Sequence, residues 1–282
     1  MKAKTIVCAL CGMSVVVASC QKPRQPEPAQ KASANQTNPD KAVASPAASA
    51  KPSERELAMS PGSPTDIGAQ QYAGRLESLR RLMQLAASEG HPEEAIELLT
   101  SLLDEIEAWE GREVSRQVAF SEACNFERQR RHAAARDAFN LFATRFAGDS
   151  AVAEAIVRRG ACLIELNEHG PAEAALRDVI ADYPDARAAE QAWRKLALAQ
   201  LLAGRYDGAL KTLDQMDRRY IGTHLSEYAK MRKGYVLVAA NRIDEGRSQY
   251  ERFIKECRGS AYCRYARRQL IALDPAAPAT SR

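Results

Sequence analysis

From about Leu76 to its C-terminus the chain repeats itself every 37 residues, and this period constrains the fold more than any single residue does. Gly160-Ala161-Cys162-Leu163 aligns with Ala197-Leu198-Ala199-Gln200 and with Gly234-Tyr235-Val236-Leu237. Twelve positions further on, each unit again carries a small residue: Ala172, Ala209 and Gly246. A fixed period of this length marks stacked helical hairpins, because each hairpin leaves one face bare that only its neighbour covers. Such an array presents a long surface and seldom carries out chemistry.

Composition divides the 282 residues sharply. Residues 21 to about 70 are dominated by Pro, Ala, Ser, Gln and Lys, with Leu57, Met59 and Ile67 nearly the only large apolar side chains. Such a stretch buries too little apolar surface to offset the entropy of ordering it, so a disordered tether is expected there. Helical apolar spacing then runs to Leu273, and residues 274–282 read as a loose tail. The expected organisation is a leader over 1–19, a tether over 20–71, a folded array over 72–273 and a tail over 274–282.

The leader has its own signature. Lys2 and Lys4 precede an apolar run from Thr5 to Ala18. A membrane-spanning helix needs about 20 apolar residues, so the run suits a signal-peptide core better than an anchor. It ends in Val17-Ala18-Ser19-Cys20, which resembles a bacterial lipobox. That resemblance implies cleavage after Ser19, a diacylglycerol on the Cys20 sulfur and acylation, as with palmitate, of the new amine. An ordinary secretory signal with a chance cysteine is the alternative. Gln21 stands where members retained at the inner membrane usually carry Asp, which implies the outer membrane, facing the periplasm. Two or more acyl chains hold a bilayer stably where one does not. The tether would reach roughly 40 Å as a flexible coil and about 150 Å as polyproline.

Charge excludes more than it reveals. The formal +4 includes Lys2 and Lys4, which leave with the signal. No Lys/Arg block is dense enough for nucleic acid, and scattered pairs such as Arg158-Arg159 read as solvated helix faces.

The repeats themselves resemble the tetratricopeptide family. Counting from Ala153, the pattern finds Ile156 at position 4, Gly160 at 8, Leu163 at 11, Ala172 at 20, Leu176 at 24, Val179 at 27 and Pro184 at 32. A start at Glu190 puts Trp193 on the family's tryptophan site, followed by Ala197, Ala209, Leu213 and Met216. Starts at Arg116 and Glu227, and a looser one near Leu76, complete the set. The resemblance implies an all-α, right-handed superhelical solenoid of about five hairpins plus a closing helix over 261–273. Small residues at positions 8 and 20 belong where paired helices cross closest. Gly170 and Gly204 are expected to cap first helices, and Pro184 to stop a second one. The family's own period is 34, and three extra residues amount to nearly one helical turn. That longer unit is similar to a bacterial envelope subgroup, which includes the repeat lipoprotein of the β-barrel assembly machinery and the periplasmic repeat protein associated with Tol–Pal.

In tetratricopeptide arrays the first helices line a groove. Carried over by position, this implies a partner groove through Val157, Ala161, Ile164, Arg194, Leu198, Leu201, Leu202, Met231, Tyr235 and Val238. Grooves of this kind take an extended segment or an amphipathic helix. The alternative is that these side chains pack against one another or the tether. A cell-wall glycan or exported polysaccharide is a second ligand class, but it wants exposed aromatic platforms, and only Phe120, Tyr228 and Tyr235 map there.

Four cysteines remain besides Cys20. Cys257 and Cys263 flank Gly259, and an exported compartment permits a disulfide between them, clipping the closing helix. Cys124 and Cys162 fall on adjacent first helices; buried thiols are the alternative for all four. His132 and His169 share position 17, with no ligand-spaced Cys or carboxylate beside them, so no metal is expected. No phosphate loop, nucleophile elbow or paired-carboxylate motif appears. The expected protein is a lipid-anchored envelope scaffold, with no cofactor, no nucleic acid, no small-molecule substrate and no catalytic residues.

Overall fold

The computed structural model describes residues 64–274. The lipobox with Cys20, the signal segment, most of the tether and the tail from 275 lie outside the described residues. Among the described residues there are eleven helices and no strand. They are α1 (Pro64–Glu89), α2 (Pro92–Trp109), α3 (Arg112–Arg128), α4 (His132–Arg145), α5 (Val152–Glu165), α6 (His169–Asp182), α7 (Arg187–Leu202), α8 (Tyr206–Arg219), α9 (His224–Ala239), α10 (Ile243–Glu256) and α11 (Cys263–Ala272). Each packs on the next in sequence, giving five hairpins and a closing helix. The all-helical repeat solenoid read from the sequence is what the chain forms.

Helix α1 begins at Pro64, upstream of residue 72, where the array was expected to start. Tyr72 lies on Trp109 with ring centroids 4.8 Å apart and planes 14° from parallel. Its hydroxyl donates to Glu110 at 2.7 Å. The end of α2 thus holds the third turn of α1 in place.

The hairpin turns share one backbone solution. The last residue but one of each turn is left-handed: Gly90 (φ 88°), Arg130 (59°), Asn167 (61°), Gly204 (72°) and Asn241 (62°). The following N–H then closes on the carbonyl five residues back, as in Arg131→Phe126 (2.9 Å), Glu168→Leu163 (2.8 Å) and Arg205→Gln200 (2.8 Å). These bonds satisfy carbonyls that a helix end leaves free. Gly204 plays the capping role expected of it. Gly170 does not: it lies inside α6, and Asn167 makes the turn instead. Pro184 falls just beyond the end of α6.

Positions 8 and 20 are where each pair of helices touches. Met83, Ala123 and Ala197 at the first, and Ala95, Ala135, Ala172 and Ala209 at the second, are all buried. Gly160 and Gly234 face large residues of the partner helix. A Cβ on Gly160 would lie 3.0 Å from the Leu176 side chain, and one on Gly234 only 2.7 Å from the Tyr250 ring. The apolar core passes from hairpin to hairpin through shared side chains. Ile156 and Tyr183 belong to both the first and second clusters, Ile180 to the second and third, and Tyr228 to the third and fourth.

Charge reinforces the joints between hairpins. Arg136 of α4 reaches Glu168 at 3.0 Å. One hairpin later the same two positions hold Glu173 and Arg205, paired with the signs exchanged. Glu173 is buried; it also accepts from Arg177 (3.0 Å) and Gln200 (3.4 Å), and Gln200 accepts from Thr212 at 2.7 Å. A buried carboxylate is tolerated only with such partners.

Candidate partner-binding face

The first helices α5, α7 and α9 carry a recurring cation at position 6: Arg158, Lys195 and Arg232. The side chains around them divide the face into two halves of different character.

Toward the N-terminal side the charges satisfy one another. Arg158 bridges Glu127 (2.7 Å) and Glu154 (2.8 Å). Glu122 accepts from Gln84 (3.3 Å) and Asn125 (3.0 Å), with Arg80 at 3.8 Å. The Arg158 guanidinium also stands 5.8 Å from the Phe120 ring centre. Buried Cys162 sits nearby, and burial pushes its thiol up to about 12, with Glu127 adding to the effect.

Toward the C-terminal side Arg194 and Arg232 rest on tyrosine rings, while Lys195 between them lies in the field of Glu127 and Glu165. Arg194 of α7 stands 4.7 Å over Tyr228 of α9, and Arg232 stands 4.8 Å over Tyr235 and 5.8 Å over Tyr228. Tyr228 in turn meets Tyr262 edge-on at 5.9 Å. The Nε of Arg194 is buried without an acceptor. Burial also pushes Lys195 below the usual lysine range, against the pull of Glu127.

The residues expected to line a groove separate by burial. Val157 (1% exposed), Ile164 (6%), Leu201 (8%) and Met231 (5%) are packed into the core, so they support the fold and offer little surface to a partner. Helical phase is the reason: Leu201 turns into the hairpin beside Ala197. Ala161, Arg194, Leu198, Tyr235 and Val238 are half-buried, and Leu202 is 39% exposed. Arg194, Leu198 and Leu202 are spaced by four and share one stripe of α7.

Cys257 and Cys263 form no disulfide; the Cys263 thiol instead donates to the Cys257 carbonyl at 3.0 Å. Cys162 is buried and Cys124 half-buried. His132 and His169 each keep a buried Nδ1 without a hydrogen-bond partner. No group of three potential metal ligands occurs among the described residues, and no described helix is long and apolar enough to cross a membrane.

The comparison that decides the family covers most of the array: a tetratricopeptide repeat-like domain matches residues 107–274. The chain belongs to the tetratricopeptide repeat-like family. This tetratricopeptide chain is similar in structure to a tetratricopeptide repeat protein from Parabacteroides merdae, at 14% identity and a TM-score of 0.47, over 71% of this chain and 73% of that one. It is similar also to a Podosopora anserina protein of nearly identical TPR-like repeats, at 15% identity and a TM-score of 0.46, over 64% of this chain and 93% of that one. No curated protein matches it. The tetratricopeptide fold points to a protein-interaction scaffold, and such repeat proteins are generally not enzymes.

Proposed function

We propose that this protein is a lipid-anchored adaptor of the bacterial envelope that holds a segment of another protein against its first-helix face. One observation carries the reading. The half-buried Leu198 and the exposed Leu202 of α7 form an apolar stripe that continues into the Arg194–Tyr228–Arg232–Tyr235 cluster, on a fold whose usual work is holding other proteins. The anchor rests on Val17-Ala18-Ser19-Cys20 and the polar stretch that follows. Outer-membrane assembly or Tol–Pal-linked machinery is the setting that the repeat length favours. The glycan alternative is weaker, because guanidinium groups already cover faces of Tyr228 and Tyr235 that a sugar ring would need.

The experiment is photo-crosslinking in cells from positions 198 and 202 of the full-length chain. A discrete crosslinked protein should appear and should vanish when Leu198→Glu and Leu202→Glu are introduced singly at the uncrosslinked position. Equal capture from the exposed Ile221, remote from this stripe, would overturn the assignment. Separately, Cys20→Ala should release the protein from membranes, and continued membrane fractionation would refute the lipid anchor.

A further inference from the structure

The closing helix α11 carries a charge pattern that neither the fold nor the adaptor reading uses. Its inner stripe is spent on the array. Cys263 and Ala266 are buried in the last core cluster with Met231, Tyr250 and Phe253, and Leu270 and Leu273 pack against it. Arg247 fastens the far end by donating to the Leu273 carbonyl at 2.6 Å. The outer stripe holds Arg264, Arg267, Arg268 and Ile271, spaced at i, i+3, i+4 and i+7 and all exposed. Alone among the eleven described helices, α11 contains no acidic residue. From Arg258 to Asp274 the chain sets four arginines against that one acid. Glu256, at the end of α10, is taken up by Lys230 and Arg252, each 3.8 Å away.

A closing helix needs a polar outer face to keep a repeat array soluble. Mixed charges meet that need, as α10 does by interleaving Asp244, Glu245 and Glu251 with Arg247 and Arg252. Solubility explains neither a face of one sign nor Ile271, which is 67% exposed among the arginines. Guanidinium groups pair with phosphate through two parallel hydrogen bonds and shed water readily. An aliphatic side chain beside them suits the boundary between headgroups and acyl chains. Near an anionic bilayer each basic side chain adds attraction that decays within a Debye length.

We infer that the outer face of α11 docks on an anionic phospholipid surface, with its three arginines on lipid phosphates and Ile271 at the acyl boundary. The inference rests on the envelope reading for the membrane it meets, and it adds an orientation to the anchor. The helix does not insert, because the array already covers its apolar stripe. Three arginines hold a free chain only weakly. A lipid tether confines the face near the bilayer at a roughly millimolar effective concentration, where weak attraction suffices. Removal of the anchor therefore still releases the chain.

The test uses the mature chain from residue 20 carrying Cys20→Ala, which has no acyl group, and vesicle sedimentation at about 0.1 M salt, where charges more than about 10 Å apart are screened. The chain should bind phosphatidylglycerol–phosphatidylcholine vesicles but not phosphatidylcholine alone, and high salt should reverse the binding. Each of R264Q, R267Q and R268Q should lower the partition coefficient about five-fold, and the triple variant should not bind measurably. Removing as much charge at the end of α3, with R128Q, R130Q and R131Q together, should leave binding near that of the parent. An added Ile271→Trp should bring fluorescence that bromine-labelled lipid quenches beyond the parent's own. Circular dichroism and Tm matched to the parent exclude misfolding as the cause. Equal binding to neutral vesicles, equal loss from the α3 set, or an Ile271→Trp chain that stays unquenched would overturn the proposal. So would self-association that the three α11 substitutions abolish while vesicle binding is unchanged, which would give the face to a second copy of this chain. The chain tested carries no lipid, so failure here leaves the lipid anchor standing. The anchor fails separately, when full-length Cys20→Ala stays on membranes washed with high salt.

Discussion

Gly234 and Tyr250 are paired by size: the ring of Tyr250 fills the space a side chain at 234 would need, with Cε1 2.7 Å from where a Cβ would lie. The same juxtaposition in the hairpin before holds Ala197 and Leu213, both buried, so a smaller partner accommodates the extra methyl. Gly234→Ala should therefore cost about 1–3 kcal/mol through overpacking. Adding Tyr250→Leu should recover part of that loss, although Tyr250→Leu alone leaves a cavity and destabilises. Urea denaturation of the four proteins gives the coupling; strict additivity would refute the size pairing.

Arg130 is the one large side chain among the five left-handed turn positions; the others are Gly or Asn. A non-glycine residue there costs about 1–2 kcal/mol, and glycine recovers part of it after its own entropy loss. Arg130→Gly should raise stability by about 0.5–1 kcal/mol, visible as a higher Tm. A fall would mean that the Arg130 side chain supports the turn.

Glu107 joins the first two hairpins. It accepts from Arg145 at 2.6 Å and from Arg112 at 3.1 Å. Those two guanidiniums, Arg145 first, hold its carboxyl below the usual range of about 4.5. A depressed carboxylate stabilises the fold above its unfolded value and loses that contribution as pH falls through the folded one. Thermal melts of the parent and Glu107→Gln should thus differ at neutral pH and converge below about 4.5. A gap independent of pH would rule out the charge as its origin.

The Cys162 thiol, pushed up to about 12 by burial, is almost wholly protonated at pH 8. Thiolate is the reactive form, so iodoacetamide should modify Cys162 only on unfolding. Mass spectrometry after native and denatured labelling reads this directly; rapid native modification would contradict the packing.

Much of this architecture was legible in the sequence because it repeats. Small residues at positions 8 and 20 could be aligned without knowing their contacts, and all of those with side chains are buried. Turn chemistry was read less well. Gly170 attracted the capping role as a glycine near a turn, but Asn tolerates the left-handed region, and the 37-residue recurrence of Arg130, Asn167, Gly204 and Asn241 was the better signal. The face was read by family position alone, which cannot tell a half-buried Leu198 from a buried Leu201. The cation row of Arg158, Lys195 and Arg232 shared that recurrence and was open to the same reasoning. Whether its members are neutralised depends on contacts between hairpins, which no local pattern reports.

The exchanged signs at successive joints, Arg136 with Glu168 and then Glu173 with Arg205, make the order of the units matter. Excision of the third hairpin would bring two guanidiniums face to face, Arg136 against Arg205. A chain built by copying one module has in this way acquired an address on each copy, and a mis-stacked or shortened assembly would be repelled at that seam.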